Sequence, residues 1–116
     1  LRSGNRDAQI TALVELEKTA SVNAVPAIAD TARENDGMVS KTAIDTLGGI
    51  GDASAVAPLV ELALGTNLDD SLRRAAIMNL HRMAIPEATT GLQEVITGLG
   101  EQEGTDELLQ LARDQG

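Results

Sequence analysis

Apolar residues recur along the chain at intervals of three and four, the period of a helix with one buried face. The pattern predicts six helices, at about residues 6–19, 22–34, 39–50, 54–64, 71–84 and 87–99. A shorter seventh helix, opened by Thr105, is expected in the leucine-containing tail. The hydrophobic pattern therefore predicts an all-α protein.

The apolar stripe of predicted helix 3 returns 33 residues later in predicted helix 5. All five positions of the first stripe have aliphatic or methionine equivalents in the second: Val39, Ala43, Ile44, Leu47 and Ile50 are followed by Leu72, Ala76, Ile77, Leu80 and Met83. A shift of 34 residues in the other direction places Ile10, Leu13 and Leu16 under the stripe of helix 3. A period of this size is typical of stacked helical repeats, here about three helical hairpins.

Several local signals refine these helices. Gly48 and Gly49 lie inside predicted helix 3, where glycine lowers helix propensity, so we expect a close approach to the backbone there. Either Asp52 or Ser54 is expected to cap helix 4. Pro58 falls near the first turn of that helix, where a missing N–H is least costly, or else kinks it slightly.

Two segments carry a family resemblance. Residues 43–64 read AIDTLGGIGDASAVAPLVELAL and residues 72–80 read LRRAAIMNL, with a weaker NAVPAIADTA at 23–32. They resemble HEAT-like repeats of the kind found in phycobilin lyase relatives and in many bacterial helical-repeat proteins. The resemblance covers about residues 6–100 and implies a right-handed α-α superhelix, a HEAT-like solenoid of about six to seven helices. The matching positions pack repeats together and say little about function.

The resemblance also implies a ladder of arginines between neighbouring repeats. Arg73 holds one rung and Arg6 is a candidate for another, whereas Ser40 stands at the middle position, so we expect a weaker link there. The Ile-Gly-Asp corner after helix 3 is replaced by Met-Ala-Ile-Pro at residues 83–86. We expect that corner to differ.

Composition narrows the possible functions. Phe, Tyr and Trp are absent, which removes the usual stacking platforms for nucleic-acid bases and flat chromophores. The formal net charge of -9 opposes phosphate backbones and anionic lipid surfaces, and no apolar run approaches a membrane span. We expect a soluble single domain over residues 1–116 that binds neither nucleic acid nor membrane. Because the chain begins with Leu1 rather than Met, we expect it to be a module of a longer protein.

No residue pattern predicts catalysis. Cys is absent, His81 is the only histidine, and no His/Glu pair at helical spacing supplies a metal site. The acidic clusters at 69–70 and 101–103 fit a helix start and a solvated turn. Phosphate-binding loops and nucleophile motifs are missing as well. We expect no catalytic residue, no metal site and no cofactor.

Charge divides unevenly between the two kinds of predicted helix. Helices 2, 4 and 6 carry mostly carboxylates, whereas helices 3 and 5 carry more cations than carboxylates. In HEAT-like proteins the second helix of each pair usually lines the concave surface, so the resemblance implies a neutral-to-basic inner face. The candidate contact strip on these helices consists of Lys41, Asp45, Arg74, Met78, His81 and Arg82. Its cations would meet an acidic peptide or carboxylate ligand, with Met78 as an adaptable apolar contact.

These patterns favour a non-enzymatic protein-interaction or scaffold module and leave alternatives open. The charge asymmetry is also compatible with simple solvation of a helix face, with Arg73 as a ladder rung. The chain could instead be a structural spacer or regulatory appendage. A bilin-lyase-related or other enzyme-accessory role is a further alternative, against which the lack of aromatics, Cys and paired His argues. Exposed aliphatic ends of the array could pair two copies.

Overall fold

A computed structural model of the chain describes residues 6–19, 22–34, 37–66 and 68–114. Seven α-helices follow one another over these residues: α1 (Arg6–Lys18), α2 (Val25–Glu34), α3 (Gly37–Ile50), α4 (Val56–Leu64), α5 (Asp70–Met83), α6 (Pro86–Gly100) and α7 (Asp106–Asp114). Short 3-10 turns at Val22–Ala24 and Ala53–Ala55 lead into α2 and α4. The described residues contain no strand, and the prediction of an all-α protein is confirmed.

The helices pack in two layers. In one layer α1, α3, α5 and α7 lie side by side, each in contact with the next. In the other, α4 lies between α2 and α6 and contacts both. Across the layers α2 pairs with α3, α4 with α5 and α6 with α7. Three hairpins are therefore stacked on α1, which takes the place of the second helix of a preceding pair, and the predicted helical solenoid is confirmed.

The core lies between the layers and is built from aliphatic side chains and Met83. Its largest fully buried members come mostly from the predicted stripes: Leu13, Ile28, Ile44, Leu47, Leu59, Leu62, Ile77, Leu80, Val95 and Leu99. Val22, which the sequence placed at the start of predicted helix 2, is 43% exposed because it belongs to the turn before α2. Burying a side chain of this size contributes about 1.5–3 kcal/mol.

The tail helix completes the third hairpin although its sequence fits the repeat poorly. α7 packs on both α5 and α6 and buries Leu108 and Ala112. Thr105, just before α7, turns its hydroxyl back and donates a hydrogen bond to the carbonyl of Leu99, 2.8 Å away near the end of α6. Of the predicted six to seven helices, the described residues form all seven.

The corners after α3 and α5 each contain one residue in the left-handed conformation. Gly51 has a φ of 70°, and Ala84, 33 residues later, has a φ of 53°. Glycine adopts this left-handed region without strain, whereas the Cβ of alanine crowds the backbone there. The expectation of a different corner at residues 83–86 is confirmed in part. The left-handed residue returns as Ala84, but α6 begins directly at Pro86, without the capped 3-10 turn that precedes α4.

Gly48 and Gly49 allow two neighbouring helices to approach α3. A Cβ at Gly48 would overlap the side-chain amide of Asn79 in α5, and one at Gly49 would overlap the carboxylate of Glu17 in α1. Each glycine therefore leaves room for a side chain from a different neighbour. The predicted close approach is confirmed.

Asp52 rather than Ser54 caps the turn that leads into α4. Its carboxylate accepts hydrogen bonds from the hydroxyl of Ser54 at 2.6 Å and from the backbone N–H of Ser54 at 2.9 Å. The hydroxyl bond first, and then the backbone bond, favours the ionised form and lowers the pKa of Asp52 below its usual value. Pro58 lies in the first turn of α4, as the sequence predicted.

Candidate functional site

A groove of about 440 Å³ runs between α3 and α5 on the exposed side of their layer. Its lining from α5 follows one helix face at spacings of three and four: Ser71, Arg74, Ala75, Met78, Asn79 and Arg82. Lys41 and Asp45 line it from α3. The groove brings together five of the six predicted contact residues, all but His81. It adds three that the sequence did not single out, namely Ser71, Ala75 and Asn79.

His81 lies apart from the groove, on the side of α5 that contacts α7. Its ring Nε2 is 3.1 Å from the backbone carbonyl of Leu111. Together with Met78, Arg82 and Leu111 it lines a smaller cavity of about 260 Å³. The predicted contact strip therefore does not form one surface. Met78 and Arg82 line both the groove and the smaller cavity, whereas His81 contacts α7.

Asp45 links α3 to α5 across the groove. Its carboxylate accepts hydrogen bonds from Lys41 Nζ and from Asn79 Nδ2, both at 2.9 Å. Its backbone carbonyl accepts a third from the guanidinium of Arg82 at 3.1 Å. Asn79 is buried, and its Nδ2 also donates to the carbonyl of Ala75 at 2.8 Å. These bonds hold the charged groups of the groove in defined positions.

The groove carries more positive than negative charge, because Asp45 stands among Lys41, Arg74 and Arg82. Lys41 is paired with Asp45, and Arg74 lies 3.6 Å from Glu107 of α7, whose side chain is 91% exposed. The described residues provide no carboxylate partner for Arg82, which donates only to a backbone carbonyl. An exposed ion pair contributes about 0–1 kcal/mol. An incoming carboxylate can therefore compete with Glu107 for Arg74.

Net positive charge is a property of the groove and does not extend over the whole layer. The flanking helices α1 and α7 together carry six carboxylates against three basic residues. The expectation of a neutral-to-basic inner face considered only the helices now labelled α3 and α5. It holds for the groove and is wrong for the full layer, because α1 and α7 also belong to that layer.

Arg73, which precedes Arg74 in the sequence, is buried and stabilises the fold. It is 5% exposed, its Nε donates to the carbonyl of Ala63 at 2.9 Å, and its guanidinium also donates to Gln102 Oε1. Gln102 Nε2 in turn donates to the carbonyl of Leu64 at 3.0 Å. The two side chains satisfy carbonyls at the end of α4, where the helix dipole is negative, and join the second hairpin to the segment after α6. The predicted ladder rung is confirmed.

The equivalent position of α3 is Ser40, which makes no such link to the described residues. Ser40 is fully buried, and its hydroxyl has no hydrogen-bond partner among the residues that the structure describes. The expectation of a weaker link at this position is confirmed.

Two other kinds of site find no support in the part of the chain that the structure describes. Those residues contain no group of three or more His, Asp or Glu side chains that could hold a metal ion. No helix among them combines the length and the apolar character needed to cross a membrane.

Paired helices in two stacked layers define an α-solenoid. The family described as HEAT repeats matches residues 1–81, and the chain belongs to this family. Beyond the match, α6 and α7 continue the same two-layer packing. The narrower resemblance to phycobilin lyase relatives is not confirmed by the match. No curated protein and no solved structure matches the chain. HEAT repeats generally mediate protein–protein interactions and are typically non-catalytic.

Proposed function

We propose that the chain is a non-enzymatic protein-interaction domain that binds its partner in the groove between α3 and α5. The observation that supports this most is the convergence of Lys41, Arg74 and Arg82 around the exposed Met78 in a chain of net charge -9. The family supports the coarser part of the proposal, an interaction role. The groove supports the finer part, its location.

The composition of the groove suits a contact with an acidic protein segment. Met78 is apolar yet 55% exposed, and cations stand four residues before and after it on the same helix. The flexible Met78 side chain supplies apolar contact area. The cations on either side of it orient a partner of opposite charge, and such complementary charge mainly increases specificity and the association rate. The mechanism is presentation of a surface held by the bonds from Asp45 to Lys41 and Asn79.

The test is a charge reversal of the groove with a matched control. The groove variant is Lys41→Glu/Arg74→Glu/Arg82→Glu. The control, Lys18→Glu/Arg33→Glu/Arg113→Glu, reverses exposed cations outside the groove and changes the net charge equally. Circular dichroism and urea unfolding first establish that both variants fold as the wild type does.

Each protein is then used to capture partners from an extract of the native source, and captured proteins are purified and retested by direct binding. We expect a partner that the wild type and the control retain and the groove variant loses. If the groove variant retains the same partner, the groove is not the contact site. If no protein is captured by any of the three, the role of a structural spacer is favoured instead.

A further inference from the structure

Three residues of α5 form a row along the groove, slightly inclined to the helix axis. Arg74, Met78 and Arg82 are spaced by four residues, so each is about 6 Å from the next along the helix axis, which rises about 1.5 Å per residue. All three are exposed and line the groove. The row presents a cation, an apolar side chain and a second cation over about 12 Å.

The spacing of this row matches that of an extended peptide. In an extended chain, side chains two residues apart point to the same side and lie about 6.6 Å apart. Residues i, i+2 and i+4 of such a chain therefore lie over Arg74, Met78 and Arg82 with an accumulated mismatch of about 1 Å. Complementary side chains at these positions are acidic, aliphatic and acidic.

We propose, on the basis of the proposed function, that the groove binds an extended acidic peptide of the pattern acidic–x–aliphatic–x–acidic. Its two carboxylates pair with Arg74 and Arg82, and its central aliphatic side chain packs on Met78. We infer an acidic ligand from charge complementarity, because the groove is cationic within an acidic chain.

The two ends of the row receive a carboxylate differently. Lys41 in α3 stands 33 residues before Arg74, at the equivalent position of the preceding repeat, and both line the groove. The first carboxylate therefore meets two cations that already have carboxylate neighbours, Lys41 with Asp45 and Arg74 with the exposed Glu107. The second meets Arg82, which has no carboxylate partner among the described residues. Binding displaces Glu107 from Arg74, and this makes Glu107 a competitor of the peptide.

A helical partner fits the groove less well than an extended one. A docked amphipathic helix uses several apolar anchors along its length. Among the eight lining residues, Met78 is the single large apolar side chain. A volume of about 440 Å³ suits a row of side chains, whereas a helix is about 10–12 Å across. The single apolar contact at Met78, with a cation on each side, therefore suits an extended segment better than a helix.

The test uses synthetic peptides of identical composition and the whole chain, with binding followed by fluorescence anisotropy at about 0.15 M salt, where surface charges are partly screened. One peptide places Glu at positions 1 and 5 around Leu at position 3, with Ala and Gly elsewhere. A second places the two Glu side by side, and a third spaces Glu, Leu and Glu four residues apart for a helix. We expect the first to bind about tenfold more tightly than either other peptide, a difference that one charge-assisted bond can supply.

Single substitutions locate the contacts. Arg74→Gln and Arg82→Gln are each expected to weaken binding of the first peptide about tenfold and to have little effect once the facing Glu is replaced by Gln. Glu107→Gln is expected to strengthen binding, because it frees Arg74. Arg33→Gln, on α2 outside the groove, is the control and should leave binding unchanged.

Equal binding of all three peptides, no binding of any, or tighter binding of the helical peptide would overturn the proposal of an extended ligand. The capture experiment does not depend on these peptide results. A partner that the wild type and the control retain and the groove variant loses would still support the proposed function. A groove variant that keeps its partner would instead reject the proposed function itself.

Discussion

Ala84 is the residue at which the repeat and the local preference of the chain conflict. Among the described residues it is the only non-glycine with a positive φ, and it stands where the preceding repeat has Gly51. A left-handed conformation raises the energy of an L-residue by roughly 1–2 kcal/mol. The packing of α5 against α6 evidently outweighs that strain.

We expect Ala84→Gly to raise the free energy of unfolding by about 1 kcal/mol, because glycine removes the strain at some loss of backbone entropy. Urea unfolding followed by circular dichroism measures this change. The converse variant, Gly51→Ala, should lower the free energy by about the same amount. A Cβ there meets only the carbonyls of Gly48 and Gly49, at 3.8 and 4.0 Å, so φ alone is tested. A destabilised Ala84→Gly variant would contradict this account.

The helix cap before α4 marks a limit of prediction at the scale of single residues. Asp52 and Ser54 are both favoured cap residues, so residue type left the choice open. The structure decides it, because the Asp52 carboxylate accepts both hydrogen bonds that Ser54 can donate toward it.

At the scale of elements, α3 packs against three other helices, α1, α2 and α5. Its two glycines were predictable as sites of close approach, because glycine in a helix interior is otherwise unfavourable. The identities of the approaching residues, Asn79 and Glu17, were not predictable. They depend on how neighbouring helices are rotated and shifted along their axes.

We expect Gly48→Ala to lower the free energy of unfolding by about 1–3 kcal/mol, even though alanine favours helix, because the new Cβ collides with Asn79. Gly100→Ala, at the end of α6, is the matched control and should be neutral or stabilising, because the added Cβ meets no atom of the described residues within 4 Å apart from its own stretch of helix. Thermal and urea unfolding compare the two.

A second variant separates this collision from a loss of helix stability. In Gly48→Ala/Asn79→Ala the amide, which overlaps most, is gone and only the Cβ of residue 79, 2.7 Å from the added Cβ, remains in the way. The combined loss should therefore be smaller than the sum of the single losses. Strict additivity would show that the Asn79 amide is not the obstruction.

The whole molecule is held together by contacts that no single helix contains. We expect Arg73→Ala to lower the free energy of unfolding by about 3 kcal/mol, because it leaves the Ala63 carbonyl and the Gln102 amide without their partner. That is a large part of the roughly 5–15 kcal/mol typical of a small domain. Arg74→Ala, at the exposed neighbouring position, should change stability by less than about 1 kcal/mol. Similar losses from the two variants would reject the ladder role of Arg73.

The two outer helices of the layer, α1 and α7, limit how far the positive charge extends. α1 and α7 flank α3 and α5 in the same layer and are both net acidic, so the positive groove is narrow. Pairing of two copies through the array ends stays a prediction.

By itself the sequence determined the seven helices, the period of their stacking and the row formed by Arg74, Met78 and Arg82. Each of these depends on spacing within one segment or on repetition between segments, and both can be counted along the chain. Five of the six predicted contact residues lie in one groove for the same reason, because residues four apart share a helix face.

Only the tertiary structure decided how helices distant in sequence meet. Packing of α7 on α5 joins His81 to Leu111 and separates it from the groove. The hydrogen bond from buried Asn79 to Asp45 links α5 to α3 in the groove. Stacking of the hairpins holds Ala84 in a conformation that its own preferences oppose. These features depend on the relative rotation and shift of whole helices, which the hydrophobic period alone does not specify.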